Sequence, residues 1–312
     1  MLIRLFQILI ISLLTFVTWF AYQYSHRPGM KEYASHLIRH TAGHGLTVQW
    51  LGTAAILLDD GQTRIMIDPY FSRPSFFTMM THKVKPDAER IHQGLESAGI
   101  QSVDAILVSH SHIDHALDAP FIANEMGADI VGSESTANIA RGQQVPENQI
   151  KVVDPGQPLH YGAFTIRFIP SKHGGWFQQG EQITAPLPSP TFAWNYKMGN
   201  VYSILIEHPG GRILHHASAG FIPGNLDSFH AEVVLLGIAL RPDTRDYINN
   251  VVKAVHAHTV IPIHWDDFTQ PLDKKMEPLP AIGMDSFFQD MAKDFPDIRV
   301  RTLPPIAPVS IR

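Results

Sequence analysis

From residue 46 onward, short apolar runs alternate with turns that contain Gly, Asp or Pro. Apolar runs of this length, alternating or continuous, favour β-strands. The pattern predicts strands at residues 46–52, 55–58, 64–68, 104–108, 129–131, 149–153, 159–161, 164–169, 201–207, 212–218, 231–237 and 259–266. Helical spacing predicts helices at residues 87–99, 120–126, 134–141, 243–257 and 286–293. This mixture indicates an α/β domain.

A separate apolar run precedes that domain. Between Leu5 and Tyr22 there is no charged residue, no Gly and no Pro, and the run is close to the roughly 20 residues needed to cross a bilayer. A cleaved signal peptide is the alternative. The run is, however, longer than the apolar region of a typical signal peptide, and no small-x-small cleavage site follows it. We therefore predict an N-terminal transmembrane anchor at residues 1–24, a linker at 25–45 and one domain at 46–312.

The expected location is a membrane, with the single N-terminal span as anchor. Arg4 lies on one side of the span, and Arg27, Lys31 and Arg39 lie on the other. This count of basic residues does not settle the orientation; we favour the exoplasmic or periplasmic side for the domain.

Composition limits the possible partners and the possible metal ligands. The net charge of -5 argues against a nucleic acid as partner, because such partners are bound through basic surfaces. The 312 residues include 18 His and no Cys. Any metal must therefore be held by His, Asp, Glu or a hydroxyl group.

The segment at residues 109–115, Ser-His-Ser-His-Ile-Asp-His, follows directly on the apolar strand predicted at 104–108. Imidazole suits Zn²⁺, and a carboxylate adds a hard oxygen ligand. A surface cluster of histidines is the alternative. Three further apolar strands run into His173, Ser218 and His264, so a site assembled from several strand ends is the stronger hypothesis.

The motif H-x-H-x-D-H is complete at residues 110–115. With residues 47–52, 67–69 and 261–265, it resembles the metallo-β-lactamase-fold hydrolases. Within that family the sequence is most similar to the branch that includes ascorbate phosphate lactonase and N-acyl-phosphatidylethanolamine phospholipase D, which ends in a similar P-I-H-W segment. The resemblance implies a four-layer αβ/βα sandwich of two mixed β-sheets, behind the N-terminal transmembrane helix.

The resemblance also implies a site. One metal would be held by His110, His112 and His173, and a second by Asp114, His115 and His264. Zn²⁺ is the expected ion, one or two per chain, with Mn²⁺ or Fe²⁺ as alternatives. A metal-bound hydroxide, oriented by Asp114, would cleave an ester, lactone or phosphodiester of a small molecule or a lipid-like substrate.

The sequence departs from the family pattern where an Asp normally bridges the metals. Residues 217–220 read Ala-Ser-Ala-Gly, so Ser218 occupies the altered bridging position. A hydroxyl is a poorer ligand than a carboxylate. His216 is expected to support the site from the same strand face, or His215 in another register. Asp68 is expected to orient a ligand imidazole.

Two expectations concern the surroundings of the site. Residues 174–199 lack periodicity but carry aromatic side chains, which favours a wall of the active site. Residues 71–86 carry apolar side chains that are either exposed as a contact surface or tucked under the core. Because Ser218 weakens the ligand set, the alternative function is a membrane-anchored binding or assembly protein that keeps a structural metal.

Overall fold

The structure is a computed structural model that describes residues 2–39, 45–175, 181–280 and 282–310. It opens with helix α1 (Leu2–Ser25). Residues 4–25 of α1 have a mean hydropathy of 2.0, and the helix is long and apolar enough to cross a membrane. A signal sequence near the amino terminus would pass the same test of length and composition.

The segment expected as a linker is partly packed against the rest of the chain. A 3₁₀ helix runs from Met30 to His36, and the buried Tyr33 stacks on Phe288 with ring centroids 4.7 Å apart. Leu37 then forms a β-bridge with Thr302. The division into anchor, linker and hydrolase domain stays a prediction.

Fifteen strands are described in these ranges. They are β1 (Thr47–Trp50), β2 (Ile56–Asp59), β3 (Arg64–Ile67), β4 (Lys83–Val84), β5 (Ala105–Leu107), β6 (Asp129–Gly132), β7 (Ile150–Val152), β8 (Leu159–Tyr161), β9 (Phe164–Pro170), β10 (Thr191–Phe192), β11 (Tyr202–His208), β12 (Gly211–His216), β13 (Val233–Gly237), β14 (Thr259–Ile263) and β15 (Arg299–Val300). They form a six-stranded sheet in the order β1-β2-β3-β5-β6-β7, a seven-stranded sheet in the order β15-β14-β13-β12-β11-β9-β8, and a ribbon of β4 and β10.

The helices that follow α1 are mostly short. They are α2 (Phe76–Thr81), α3 (Ala88–Ser97), α4 (Ile113–Ala116), α5 (Ala119–Met126), α6 (Glu134–Gly142), α7 (Thr244–Ile248) and α8 (Met284–Asp294). Side-chain caps begin several of them: Asp87 accepts a hydrogen bond from Arg90 N, and Ser133 accepts one from Thr136 N. Gly127 ends α5 in the left-handed conformation at φ 67°.

The two large sheets and their helices form four layers. Apolar side chains from both sheets fill the space between them, among them Trp50, Ile56, Phe164 and Ile204. The other face of the six-stranded sheet packs against α3, α5 and α6, while α7 and α8 pack with the seven-stranded sheet. The predicted αβ/βα sandwich of two mixed sheets is confirmed.

One local prediction differs from the structure, one open alternative is decided, and one element was not predicted. The helix expected at residues 243–257 is α7 followed by a π-helical segment, Asn249–Lys253. Residues 71–86 contain a short helix, α2, whose Phe76, Phe77 and Met80 are exposed. The β4–β10 ribbon was not predicted, because its two-residue strands are too short to show a period.

The directions of the strands explain why the segments that carry the candidate site residues meet. β3, β5, β6 and β7 pair in parallel, as do β12, β13, β14 and β15. β9 and β12 are each antiparallel to β11 between them, so β9 and β12 run in the same direction. The residues after β3, β5, β9, β12 and β14 therefore emerge at one edge of the sandwich.

Candidate metal centre

His110, His112 and His173 form a first group of candidate ligands. One ring nitrogen from each lies within 4.8 Å of the others. His110 Nε2 and His112 Nδ1 are 3.2 Å apart, and the His112 and His173 rings have centroids 4.7 Å apart. His173 Nδ1 donates to Gly174 O at 2.7 Å, which leaves its Nε2 free to bind a cation.

Asp114, His115 and His264 form a second group with the same spacing. Asp114 Oδ2 lies 3.1 Å from His264 Nε2 and 3.5 Å from His115 Nε2. Asp114 and His115 lie on α4, directly after the loop that follows β5, whereas His264 follows β14. The structure thus brings all six candidate ligands into two neighbouring groups at the shared strand edge.

Asp68 lies behind the second group and is fully buried. His115 Nδ1 donates to Asp68 Oδ2 at 2.9 Å, and Ser109 donates to the same carboxylate from its amide and its hydroxyl at 2.7 and 2.6 Å. This contact fixes the tautomer of His115 so that Nε2 faces Asp114. Asp68 therefore has the geometry of the supporting residue that we expected.

The electrostatics differ between the two groups. Burial lowers the pKa of His112 to about 4 and the pKa of His110 well below its ordinary value. Burial also lowers the pKa of His173. These three imidazoles are consequently neutral at pH 7, and neutral imidazole is the form that binds a metal.

In the second group, neighbouring opposite charges outweigh the effect of burial on the pKa values. Burial opposes the protonation of His115, but Asp114 and Asp68 outweigh it and raise the pKa of His115. Burial likewise opposes ionisation of Asp114, yet His115 and His264 hold its pKa far below the usual range. Asp114 is therefore ionised at neutral pH, and without a cation His115 retains its proton more readily than an ordinary histidine.

Ser218 lines the same cavity as the candidate ligands. Its hydroxyl accepts a hydrogen bond from Gly174 N at 3.0 Å, directly beside His173. Its assignment as the altered bridging position stays a prediction. The donor set, five imidazoles and one carboxylate, suits a divalent transition metal.

The structure does not bring His216 or His215 together with either ligand group. His216 is buried, its Nδ1 lies 2.7 Å from Ser203 Oγ, and its ring packs 5.6 Å from that of Tyr247. His215 Nε2 donates to Ala54 O at 2.9 Å. Although His216 and Ser218 are two residues apart, the chain leaves the strand after His216, so strand alternation no longer applies.

His230 is also separate from both groups. Its ring centroid lies 6.2 Å from that of His256, and it is not among the residues that line the cavity.

A buried clamp behind His264 was not predicted. Arg73 Nη2 lies 2.6 Å from Asp266 Oδ2 and also donates to Thr53 Oγ1 at 3.1 Å. Asp266 Oδ1 accepts from Thr53 N at 2.7 Å, and Thr53 O accepts from His264 N at 2.8 Å. These contacts hold the backbone around His264, where φ is +56°. No local sequence signal reveals the clamp, since Arg73 and Asp266 are 193 residues apart.

Asp118 forms a second buried support. Phe71 N, Ser72 N and Ser72 Oγ all donate to its carboxylate, at 2.6, 2.7 and 2.5 Å. Burial raises the pKa of Asp118 to about 6 despite these hydrogen bonds. Asp118 thereby ties the segment after β3 to the start of α5, next to the ligand helix α4.

Five of the six candidate ligands, all except His110, line a cavity of about 920 Å³. Its walls come from the segments after β13 and before α8, and they include Leu240, Pro242, Phe268, Leu279 and Ile282.

We expected residues 174–199 to form a wall of this cavity, but the described residues of that segment do not line it. Met198 and Gly199 line a smaller cleft of about 370 Å³ on another side of His173. Trp176 and Phe177 lie outside the described residues.

Comparison with known proteins agrees with the fold and the motif. The sequence pattern of the family described as "Beta-lactamase superfamily domain" matches residues 63–265. A UPF0173 metal-dependent hydrolase from Heliobacterium modesticaldum is 26% identical over 236 residues, which cover 72% of this chain and 84% of that protein.

Two solved structures illustrate the shared architecture. Igni18, a metallo hydrolase from the archaeon Ignicoccus hospitalis, has a TM-score of 0.58 at 18% identity, covering 86% of this chain and 98% of its own. CmlA, a diiron β-hydroxylase from Streptomyces venezuelae, has a TM-score of 0.53 at 12% identity, covering 88% of this chain and 55% of its own. Because a hydrolase and a hydroxylase share the architecture, the reaction must be argued from the site.

Proposed function

The chain belongs to the β-lactamase superfamily and, like its curated relatives, is a metal-dependent hydrolase; we propose that it cleaves an ester, lactone or phosphodiester with a largely apolar substituent. The single observation that carries this proposal is that two three-ligand groups meet beside one cavity, which five of the six ligands line. The finer likeness to the lactonase and phospholipase D branch stays a prediction.

The residues present fit divalent cations. We propose that His110, His112 and His173 hold one ion, and that Asp114, His115 and His264 hold a second with lower affinity, because Ser218 supplies no charge. Zn²⁺ is our proposed metal, with Mn²⁺ or Fe²⁺ as alternatives. When bound, such an ion lowers the pKa of its water to about 7 and polarises the scissile carbonyl or phosphoryl oxygen.

Asp114 is the proposed catalytic residue of the protein itself. Its ionised carboxylate lies between His115 and His264 and also lines the cavity. It can accept a hydrogen bond from the attacking water and hold the oxygen lone pair toward the substrate. Asp68 keeps His115 in the tautomer that leaves Asp114 free for this role.

The cavity walls support an apolar substrate body. Among the described residues that line it, Arg241 is the one Lys or Arg side chain. Its guanidinium is already engaged, since it donates to Ile282 O, Gly283 O and Ser286 Oγ at 2.8, 2.8 and 2.7 Å. Asp243 and Asp290 also line the cavity and would repel additional anionic groups on a substrate.

The test uses the purified full-length chain in detergent with Zn²⁺ or Mn²⁺. Substrates are bis-p-nitrophenyl phosphate, p-nitrophenyl esters of increasing acyl length and a panel of lactones. We expect turnover of at least one class, with esters of longer acyl chains preferred. Asp114→Asn should lower kcat by roughly 10²–10⁴-fold, whereas Asp154→Asn, in an exposed turn, should leave it unchanged.

Ser218 favours the second candidate, a membrane-anchored binding or assembly protein with a structural metal. That candidate predicts bound metal without turnover of any class above, and thermal stability that falls when a chelator removes the metal. Turnover that depends on Asp114 excludes it.

A further inference from the structure

An exposed apolar surface lies outside the cavity. Helix α2 exposes 66% of Phe76, 69% of Phe77 and 56% of Met80, whereas its Met79 is buried. Trp194, 53% exposed, stacks on Phe192 with ring centroids 4.4 Å apart. Because α2 leads directly into β4, and β4 pairs with β10, which ends at Phe192, α2 and Trp194 flank the same small ribbon.

We call Phe76, Phe77, Met80 and Trp194 the apolar ledge, and we propose that it rests on the surface of a lipid bilayer that contains anionic lipid. Large apolar side chains grouped on a surface indicate an interaction site. Aromatic residues are the side chains that favour the interface between lipid and water.

The charges around the ledge suit an anionic bilayer. Residues 74–86 contain Lys83, Lys85 and His82 but no Asp or Glu, in a chain whose net charge is -5. Lys83 Nζ lies 6.0 Å from the centre of the Phe192 ring, and both lysines are exposed. Basic residues beside exposed aromatics are typical of segments that lie in the membrane interface.

The end of α1 is held close to the segment that carries the ledge. Arg27, two residues after α1, pairs with Glu277 at 2.6 Å and with Asp267 at 3.4 Å. From the other direction, Arg73 Nη1 donates to Asp267 O at 3.5 Å and to Gln270 O at 3.2 Å. Asp267 is therefore contacted both by a residue just after α1 and by a residue three positions before α2.

This arrangement would place the cavity near the membrane surface. Phe268, the next residue after Asp267, lines the cavity, and its ring centroid lies 6.2 Å from that of His264. A bilayer under the ledge would thus fix the orientation of the hydrolase domain relative to α1. A second copy of the chain is a poorer occupant, because a two-fold contact through the ledge would bring the lysines of one copy toward those of the other.

The absence of cysteine permits a direct test on the full-length chain. Single-cysteine variants Phe77→Cys, Phe16→Cys and Asn148→Cys are labelled with a nitrobenzoxadiazole fluorophore and reconstituted in phosphatidylcholine–phosphatidylglycerol vesicles with or without nitroxide-labelled lipid. Phe16 reports α1, and the exposed Asn148 lies at the outer edge of the six-stranded sheet. We expect nitroxide lipid to quench the label at residue 77 but not at residue 148.

Quenching at residue 16 reports separately whether α1 is inserted. An unquenched label at residue 77 overturns the proposal whatever residue 16 shows. Efficient disulfide crosslinking of unlabelled Phe77→Cys between two chains, together with an unquenched label, would assign the ledge to a second copy instead.

A second measurement tests whether the ledge acts as a unit. With the label at Trp194→Cys, the triple variant Phe76→Ser/Phe77→Ser/Met80→Ser should lose the quenching by nitroxide lipid. Val152→Ser removes an exposed apolar side chain on β7, away from the ledge, and should preserve it. Equal quenching in the two backgrounds would contradict the proposal. Replacing phosphatidylglycerol by phosphatidylcholine should reduce the quenching, because Lys83 and Lys85 attract anionic lipid; unchanged quenching would contradict the anionic part of the proposal.

Discussion

The carboxylate of Asp68 lies 2.9 Å from Nδ1 of His115, and this one contact links the end of β3 to the ligand helix after β5. Both side chains are buried, so water does not compete for the hydrogen bond. Asp68 itself is held in the left-handed region at φ +49°, a conformation that is uncommon outside Gly, Asn and Asp. The contact therefore joins a left-handed turn of the backbone to a defined imidazole tautomer.

Replacing Asp68 by Asn should weaken metal binding at the second group. An amide is a weaker acceptor for His115 Nδ1, and loss of such a supporting contact typically lowers metal affinity by about 10–100-fold. Competition with a chromophoric chelator measures the change. Asp60→Asn is the matched control, because Asp60 pairs with His208 at 3.3 Å on a turn outside the cavity. Equal affinities for the two variants would remove the role assigned to Asp68.

Replacing Ser218 by Asp should raise metal occupancy toward two ions per chain. The new carboxylate would add a negative charge beside both groups and restore a ligand that a two-metal site requires. Metal content per chain is measured by mass spectrometry after dialysis. Ser218→Ala is the control and should not raise the content. Unchanged occupancy in Ser218→Asp would show that residue 218 is not at the bridging position.

The two groups should bind metal with different pH dependence. The pKa of His115 is raised by Asp114 and Asp68, so a cation at the second group displaces a proton. Affinity there should rise with pH, by about tenfold per unit, up to the raised pKa of His115.

At the first group burial lowers the pKa of all three imidazoles, that of His112 to about 4. Affinity there should therefore depend less on pH between pH 8 and pH 6 than affinity at the second group. Chelator competition from pH 5 to pH 8 separates the two behaviours. Parallel pH profiles for both ions would contradict this assignment.

Breaking the clamp behind His264 should destabilise the fold. Arg73 and Asp266 are 2% and 1% exposed, so Arg73→Met leaves a buried carboxylate without its partner and should lower the free energy of unfolding by about 3–5 kcal/mol. Arg64→Met removes the more exposed pair with Asp59 and should cost about 0–1 kcal/mol. Denaturant titrations followed by tryptophan fluorescence measure both values. Similar losses for the two variants would show that the clamp does not support the fold.

The sequence by itself determined the features that depend on neighbouring residues. Short apolar runs, alternating or continuous, identified most strands of both large sheets. The H-x-H-x-D-H motif identified four candidate ligands, because the spacing of that motif is local. The ends of two further apolar strands indicated His173 and His264 as additional candidate ligands. The motif carried the resemblance to the family, and that resemblance implied the four-layer fold; both are confirmed.

Tertiary structure alone decided what depends on distant partners. The direction of His216, the clamp of Thr53, Arg73 and Asp266, and the cavity walls after β13 and before α8 all arise from contacts between segments far apart in the chain. The exposure of Phe76 and Phe77 likewise depends on which neighbours the fold places over α2. Periodicity describes which faces of an element are apolar, but burial depends on long-range packing that no local pattern specifies.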